Sequence, residues 1–179
     1  MKTKAITCLA ILALLVAVLL PGCKRVSSSL NGSGLIVDQD VEIKEFTSIN
    51  ARGLYNLVIQ PGEKHKVTIS LDDNLFNRIQ INLERKTLKL GLVAPATFFP
   101  TTFRVTITMP NLAGLNLSGG AKAFLKGFNA PDEFTLFVSD KGLVEGSLVA
   151  DNLICVLSGG SKVILAGSGQ RLELTSSDS

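Results

Sequence analysis

From Leu35 onwards apolar and polar positions alternate with period two, in Val41-Glu-Ile43, Leu57-Val-Ile59, Val67-Thr-Ile-Ser-Leu71, Ile79-Gln-Ile-Asn-Leu83, Leu88-Lys-Leu90 and Val105-Thr-Ile107. Successive side chains of a strand point to opposite faces, so this alternation predicts half-buried β-strands. Turn signals fall between them at Pro61-Gly62, Asp72-Asp-Asn74 and Glu84-Arg-Lys86. No stretch in this region keeps a helical period over three turns, although Leu75-Phe-Asn-Arg-Ile79 accommodates a single helical turn. The pattern predicts one all-β domain over residues 35–179.

The second half repeats itself. Leu115-Asn-Leu-Ser-Gly-Gly120 returns as Cys155-Val-Leu-Ser-Gly-Gly160, with Leu136-Phe-Val-Ser-Asp-Lys141 between them and Leu172-Glu-Leu-Thr-Ser-Ser177 after. Aligning the hydroxyl residues Ser118, Ser139, Ser158 and Thr175 gives spacings of 21, 19 and 17. A second beat follows in Ala123-Phe-Leu-Lys-Gly127, Leu143-Val-Glu-Gly146 and Val163-Ile-Leu-Ala-Gly167. Units of this length, with two short strands and glycine corners, predict a β-solenoid (β-helix-like) stack, since one coil buries its apolar side only against the next. An ordinary sandwich with recurring Ser-Gly-Gly turns is the alternative.

The first 23 residues break this pattern. Lys2 and Lys4 precede an apolar run from Ala5 to Leu20. That is the layout of a secretory signal, and the run falls short of the ~20 residues that cross a bilayer. Leu19-Leu20-Pro21-Gly22-Cys23 resembles the lipobox of bacterial lipoprotein precursors, with Pro21 the less usual residue. The resemblance implies cleavage of a signal peptide at 1–22, lipidation of Cys23, and a membrane as partner through that anchor. Lys24 stands where some inner-membrane lipoproteins carry aspartate, which favours the outer membrane. Residues 24–34, KRVSSSLNGSG, then read as a flexible Ser/Gly tether after the anchor.

Export changes the composition. Of three cysteines, Cys8 leaves with the signal and Cys23 takes lipid, so Cys155 remains, inside the apolar Leu153-Ile-Cys-Val-Leu157. It reads as a small buried hydrophobe. Of 18 basic side chains, removal of Lys2 and Lys4 leaves 16 against 15 acids, a net charge of +1 instead of +3. With no basic block downstream, nucleic acid is excluded as a partner.

The succession of motifs resembles the putative auto-transporter adhesin, head GIN domain family of bacterial envelope proteins. The residues that carry it are Phe46-Thr-Ser-Ile49, Gly53-Leu-Tyr-Asn-Leu-Val-Ile-Gln-Pro-Gly62, Val67-Thr-Ile69, Asp72-Asp-Asn-Leu75, Lys86-Thr-Leu-Lys-Leu90, Val105-Thr-Ile-Thr-Met-Pro-Asn-Leu112 and Leu117-Ser-Gly-Gly120. The resemblance implies a β-helix-like fold, an envelope setting and no catalytic residues. Members of the family run on for more coils, so the stop at Leu172–Ser179 reads as truncation.

Chemical motifs are sparse. His65 is the single histidine, and the Ser-Gly-Gly settings of Ser118 and Ser158 suit a corner better than a triad nucleophile. One histidine and one thiol cannot fill a zinc shell. Asp38-Gln-Asp40-Val-Glu42 opens like a calcium loop but has Ile43 where glycine is required. No metal, cofactor or phosphate loop is therefore expected. Polysaccharide lyase or hydrolase chemistry is the enzymatic alternative, with Asp132, Glu133, Asp140, Glu145 and Asp151 as carboxylates and Lys122 and Lys141 nearby. Their turn-like settings, with no pair recurring at equivalent coil positions, favour a solvated rim over a catalytic groove. Phe98 and Phe99, between Pro95 and Pro100, form the candidate recognition loop for a glycan or protein, or else cover the end of the core. The reading is a lipid-anchored, non-catalytic binding, adhesion or scaffolding protein of the cell envelope.

Overall fold

The computed structural model describes residues 29–93 and 97–177, so the signal segment and Cys23 lie outside the described residues. The strands run in the order β1 (Ser29–Asn31), β2 (Ile36–Val41), β3 (Ser48–Arg52), β4 (Asn56–Pro61) and β5 (Lys66–Asp72). A 3-10 helix at Asp73–Arg78 follows, the single helical turn predicted near Leu75. Then come β6 (Ile79–Glu84), β7 (Thr87–Leu92), β8 (Thr97–Phe99), β9 (Phe103–Met109) and β10 (Gly114–Ser118). The chain continues through β11 (Lys122–Val138), β12 (Leu143–Ser158), β13 (Lys162–Ser168) and β14 (Arg171–Ser177). The all-β prediction holds.

These strands form two faces joined by long bent strands. On the first face the neighbours are β2, β5, β9, β4, the start of β11, the start of β12, and β13. On the second they are β6, β7, β3, β10, the end of β11, the end of β12, and β14. Parallel stacking follows the predicted repeat. Gly114 sits beside Thr135 and Lys122 beside Leu143, an offset of 21. Asn152 sits beside Glu133 on one side and Arg171 on the other, offsets of 19.

The register corrects one alignment. Ser158 lies beside Ser177, while Thr175 lies beside Val156, so the fourth beat is Ser177. Strand pairing sets the interval, whichever residue carries the hydroxyl.

Glycine is also less essential to the turns than the repeat implied. Asp140 and Lys141 have φ of 52° and 65°, close to the left-handed 58° and 68° of Gly159 and Gly160. The stacked turns bond to one another, with Gly120 N donating to Asp140 O and Lys141 N donating to Gly159 O. These cross-coil bonds hold the two non-glycine residues in a conformation that costs about 1–2 kcal/mol each.

The first half is not a plain stack. β3 and β4 form a coil in the same frame, with Ser48 beside Gly114 and Asn56 beside Lys122, an offset of 66. The chain between adds antiparallel hairpin partners: β5 lies between β2 and β9, and β6 folds back on β7. Arg85 and Lys86, at φ of 47° and 63°, make the tight turn of that last hairpin.

The core lies between the faces. Leu88, Ile49, Leu115, Leu136 and Cys155 form one inward row, and Leu57, Ala123 and Val144 form an inward row on the other face. Cys155 is a buried free thiol, and burial raises its pKa. Tyr55 lies against Phe103 with ring centroids 4.9 Å apart, and its hydroxyl donates to Leu90 O at 2.9 Å. Burial holds the phenol well above its ordinary range. Tyr55→Phe should lower stability by about 1–2 kcal/mol in urea unfolding, because the Leu90 carbonyl loses its buried donor. An unchanged midpoint would show that the carbonyl finds another donor.

Residues 29–34, expected from sequence to belong to a flexible tether, are held against the domain. β1 pairs in parallel with β8, placing Leu30 beside Phe98 and Asn31 beside Phe99. Asp72, at 0% exposure the one buried charged side chain among the described residues, accepts from Gly34 N and Thr101 N at 2.8 Å each. Gly32 N donates to Phe99 O, and Asn74 Nδ2 donates to Asn31 O. A Cβ on Gly32 would fall 2.3 Å from the Asp72 carboxylate, so glycine is required for this approach. The Asp72-Asp-Asn74 turn signal is thus also the clamp on the entering chain.

Candidate functional site

Because Ile49, Leu115, Leu136 and Cys155 point inward, the residue after each points outward. These outward residues are Asn50, Asn116, Phe137 and Val156. The register joins them to Lys89 and Asn82 at one end and Thr175 at the other, so the row reads Asn82, Lys89, Asn50, Asn116, Phe137, Val156, Thr175. At about 4.8 Å per strand the row spans on the order of 30 Å.

Alongside the row runs a shallow groove of about 400 Å³, lined by Ser48, Thr87, Gly114, Asn116, Thr135 and Phe137. Gly114 opens it: the position between Ser48 and Thr135 carries no side chain. A second hollow of about 220 Å³ continues past Asn50 to Gln80, Asn82 and Lys89. Asn50 lines both. Phe137 is 44% exposed, so its ring is available at the edge of the groove.

The chemistry of this strip is specific. Carboxamides donate and accept at once, hydroxyls do the same, and the Phe137 ring offers an apolar surface. The one cation, Lys89, is paired with Glu84. The strip therefore suits an uncharged ligand with many hydroxyls and a weakly apolar face. A third hollow, of about 330 Å³, lies at the far end of the stack among Leu148, Leu153, Leu165 and Leu172. It is the open end of the last described coil, where Ser168, Gln170 and Arg171 rim an apolar floor, and Arg171 gives it a cationic edge that the strip does not have.

The residues singled out from sequence fall elsewhere. Phe99 is 58% exposed on β8, which pairs only with β1, so it does not join the Phe137 row. The side chain of Phe98 and the whole of Cys23 lie outside the described residues. His65 packs on Phe46 with ring centroids 4.5 Å apart, and its Nε2 donates to Phe46 O at 2.7 Å. That nitrogen is occupied in closing the core. Ser118 pairs with Arg52 on the strand edge of the coil, and Ser158 N is tied to Ser161 Oγ in its turn.

The carboxylates are similarly dispersed. Asp132, Glu133, Asp140, Glu145 and Asp151 are all exposed. Glu145 is on the first face beside Phe124, and Asp140 is in a coil turn. Asp40 belongs to a strand and is engaged by Thr68 Oγ1 at 2.6 Å and Lys66 Nζ at 3.2 Å. Among the described residues no three His, Cys, Asp or Glu side chains come together as a metal site.

A model of the family described as "Putative auto-transporter adhesin, head GIN domain" matches residues 45–179. The chain belongs to that family. Similarity to solved structures is one of fold. A "putative lipid binding protein" from Parabacteroides distasonis superposes on this head GIN domain with a TM-score of 0.61 at 18% identity, over 84% of this chain and 75% of that one. A "putative adhesin" from Parabacteroides merdae gives 0.48 at 15% identity, over 85% and 98%. None of the curated proteins matches the chain. Family membership supports a binding or adhesion role at the cell surface or envelope.

The outer strip escaped the sequence reading because Asn is a poor strand former and marks turns as readily. The signal lies in the repeat itself. Ile49-Asn-Ala51, Leu115-Asn-Leu117 and Leu136-Phe-Val138 carry their outward residue in the same slot of successive coils.

Proposed function

We propose that this head GIN domain is held at the bacterial outer membrane by lipid on Cys23 and binds glycans, without turnover, along the second face. The observation that carries the binding reading is the unbroken outward row Asn82, Lys89, Asn50, Asn116 and Phe137 beside the Gly114 groove. Paired amides match the alternating donors and acceptors of sugar hydroxyls, and the Phe137 ring offers a stacking surface for a pyranose. The lipobox-like Leu20-Pro21-Gly22-Cys23 supports the anchor, and the adhesin family supports a surface or envelope setting.

The test is a glycan array followed by titration with the best binder. Phe137→Ala should weaken binding about tenfold or more, because stacking and the burial of an aromatic ring are lost together. Gly114→Gln, which fills the groove and sets its Cβ 3.3 Å from Thr135 O, should abolish binding at some cost to the unfolding midpoint, whereas Phe137→Ala adds no atom to the stack. Unchanged binding by both variants would remove the groove from the reading. Release of shortened or unsaturated sugars from the same glycans would replace it with a carbohydrate-active enzyme, for which Asp132, Glu133, Asp140, Glu145 and Asp151 are the residues to substitute singly.

A further inference from the structure

We propose that the β1–β8 ribbon is the surface by which the domain docks on the bilayer, with Phe99 and Leu35 entering the headgroup layer. This rests on the reading of Cys23 as the lipid-bearing residue.

The length of the entering chain is the first argument. Cys23 and Ser29 are six residues apart. Fully extended, that stretch reaches about 20–22 Å, and as a flexible chain about 13 Å. The headgroup layer alone is about 5–8 Å deep. A lipid on Cys23 therefore keeps Ser29 within about 12–17 Å of the headgroup surface, which makes the β1–β8 corner the part of the domain held nearest the bilayer.

The clamp makes this limit firm. If the segment from Ser29 to Leu35 were loose, the reach would grow by those residues. Instead β1 is hydrogen-bonded to β8, and Asp72 and Asn74 grip Gly34 and Asn31. Asp73 adds its backbone N–H to Leu35 O and accepts from Ser33 Oγ.

The second argument is what this corner exposes. Phe99, opposite Asn31, is 58% exposed, and Leu35, next to the clamped Gly34, is 61% exposed. Gly34 and Thr101 bond to the two oxygens of one carboxylate, so Leu35, one residue from the first, and Phe99, two residues from the second, lie on the two chain segments that this carboxylate joins. Lys24 and Arg25 follow Cys23 directly, a charge suited to anionic headgroups. Exposed Ile36 and Val37 continue the apolar run along β2 as far as Asp38, and the exposed carboxylate of Asp73 lies at the clamp itself, held by Ser33 Oγ. The glycan groove belongs to the second face, which contributes no residue here, so docking leaves it open.

The chain has no tryptophan, so a single Trp reports its own surroundings. Phe99→Trp is made in the full chain, exported, purified with its lipid, and placed in phosphatidylethanolamine–phosphatidylglycerol vesicles with or without brominated acyl chains. Emission should shift to the blue and be quenched about twofold by the bromolipid, as for a ring about 5–10 Å into the headgroup–acyl boundary. Leu35→Trp should be quenched likewise, and serves if the first variant fails to fold. Phe137→Trp, on the groove, should remain unquenched. Mass spectrometry of the same samples reads the acyl groups on Cys23. Acylated protein with unquenched Trp at 99 and 35 overturns the docking surface and leaves the anchor standing. Equal quenching at 137 also overturns it, because the domain then has no preferred side. Protein without acyl groups on Cys23 overturns the anchor reading and this inference with it.

Discussion

Gly146→Ala is expected to cost the domain about 3 kcal/mol or more, through backbone strain and overpacking together. Gly146 lies beside Leu125 in the parallel stack, and its φ is 133°, a region closed to side-chain-bearing residues. A Cβ there would stand 2.1 Å from Leu125 O and 2.7 Å from Leu125 N. Both atoms are backbone of the adjacent strand, and Leu125 is fully buried, so no flexible tip can give way. The neighbouring coil must move, and with it the core rows that depend on its register. Against a typical total of about 5–15 kcal/mol, this shift approaches loss of the fold. Urea unfolding measures it. Gly160→Ala is the contrast: it has φ of 68° but nothing within 4 Å of the added carbon, so it should cost only about 1 kcal/mol. If the two variants unfolded at the same midpoint, crowding by Leu125 would not be the cause.

Asp72→Asn is expected to free the entering strand while leaving the two-faced core folded. The carboxylate accepts from donors on both sides, Gly34 N and Thr101 N. An amide offers one acceptor and turns a donor toward the other N–H. Burial pushes the Asp72 pKa up, but the bonds from Gly34, Thr101 and Thr102 outweigh it, and the net position is below the ordinary 3.8. A folded-state pKa below the unfolded one means that the clamp contributes stability above the unfolded value and loses it as pH falls through the folded value. Amide-exchange protection at Gly32, Gly34 and Thr101 should therefore be flat above about pH 5 and fall below about pH 4, with a midpoint under 3.8. In Asp72→Asn the same amides should be unprotected throughout, with no acid step. Protection in the variant equal to that of the native protein would assign the ordering of β1 to its pairing with β8 alone.

Much of the fold is legible in the chain because strand alternation and turn chemistry are local. Val67-Thr-Ile-Ser-Leu71 declares its buried face, and Glu84-Arg-Lys86 declares a hairpin turn, from neighbouring residues alone. The coil interval near 19–21 is visible for the same reason: each coil solves one packing problem with similar residues. Which residues align across coils is not visible in that way. Thr175 looks equivalent to Ser158 by chemistry, yet the backbone ladder places Ser177 there. The ladder is set by hydrogen bonds between strands, which are blind to side-chain type.

The candidate site was harder still. Phe99 stood out from sequence because two prolines and a pair of aromatic rings are a local oddity. Asn50, Asn116 and Phe137 are separated by 66 and 21 residues and look unremarkable singly. Only stacking brings them into one row, because the intervening hairpins β5 to β9 loop out and return the chain to the same frame.

The sequence by itself therefore determined an all-β chain built on a repeat, with Cys155 set in an apolar strand that buries it. Those properties follow from composition and from contacts close along the chain. Tertiary structure alone decided that Asp72 clamps the entering strand, that His65 closes the core beside Phe46, and that Asn50, Asn116 and Phe137 share a groove edge. Each joins residues far apart in sequence, and their meeting depends on the register of the whole stack, which no short window of the chain contains.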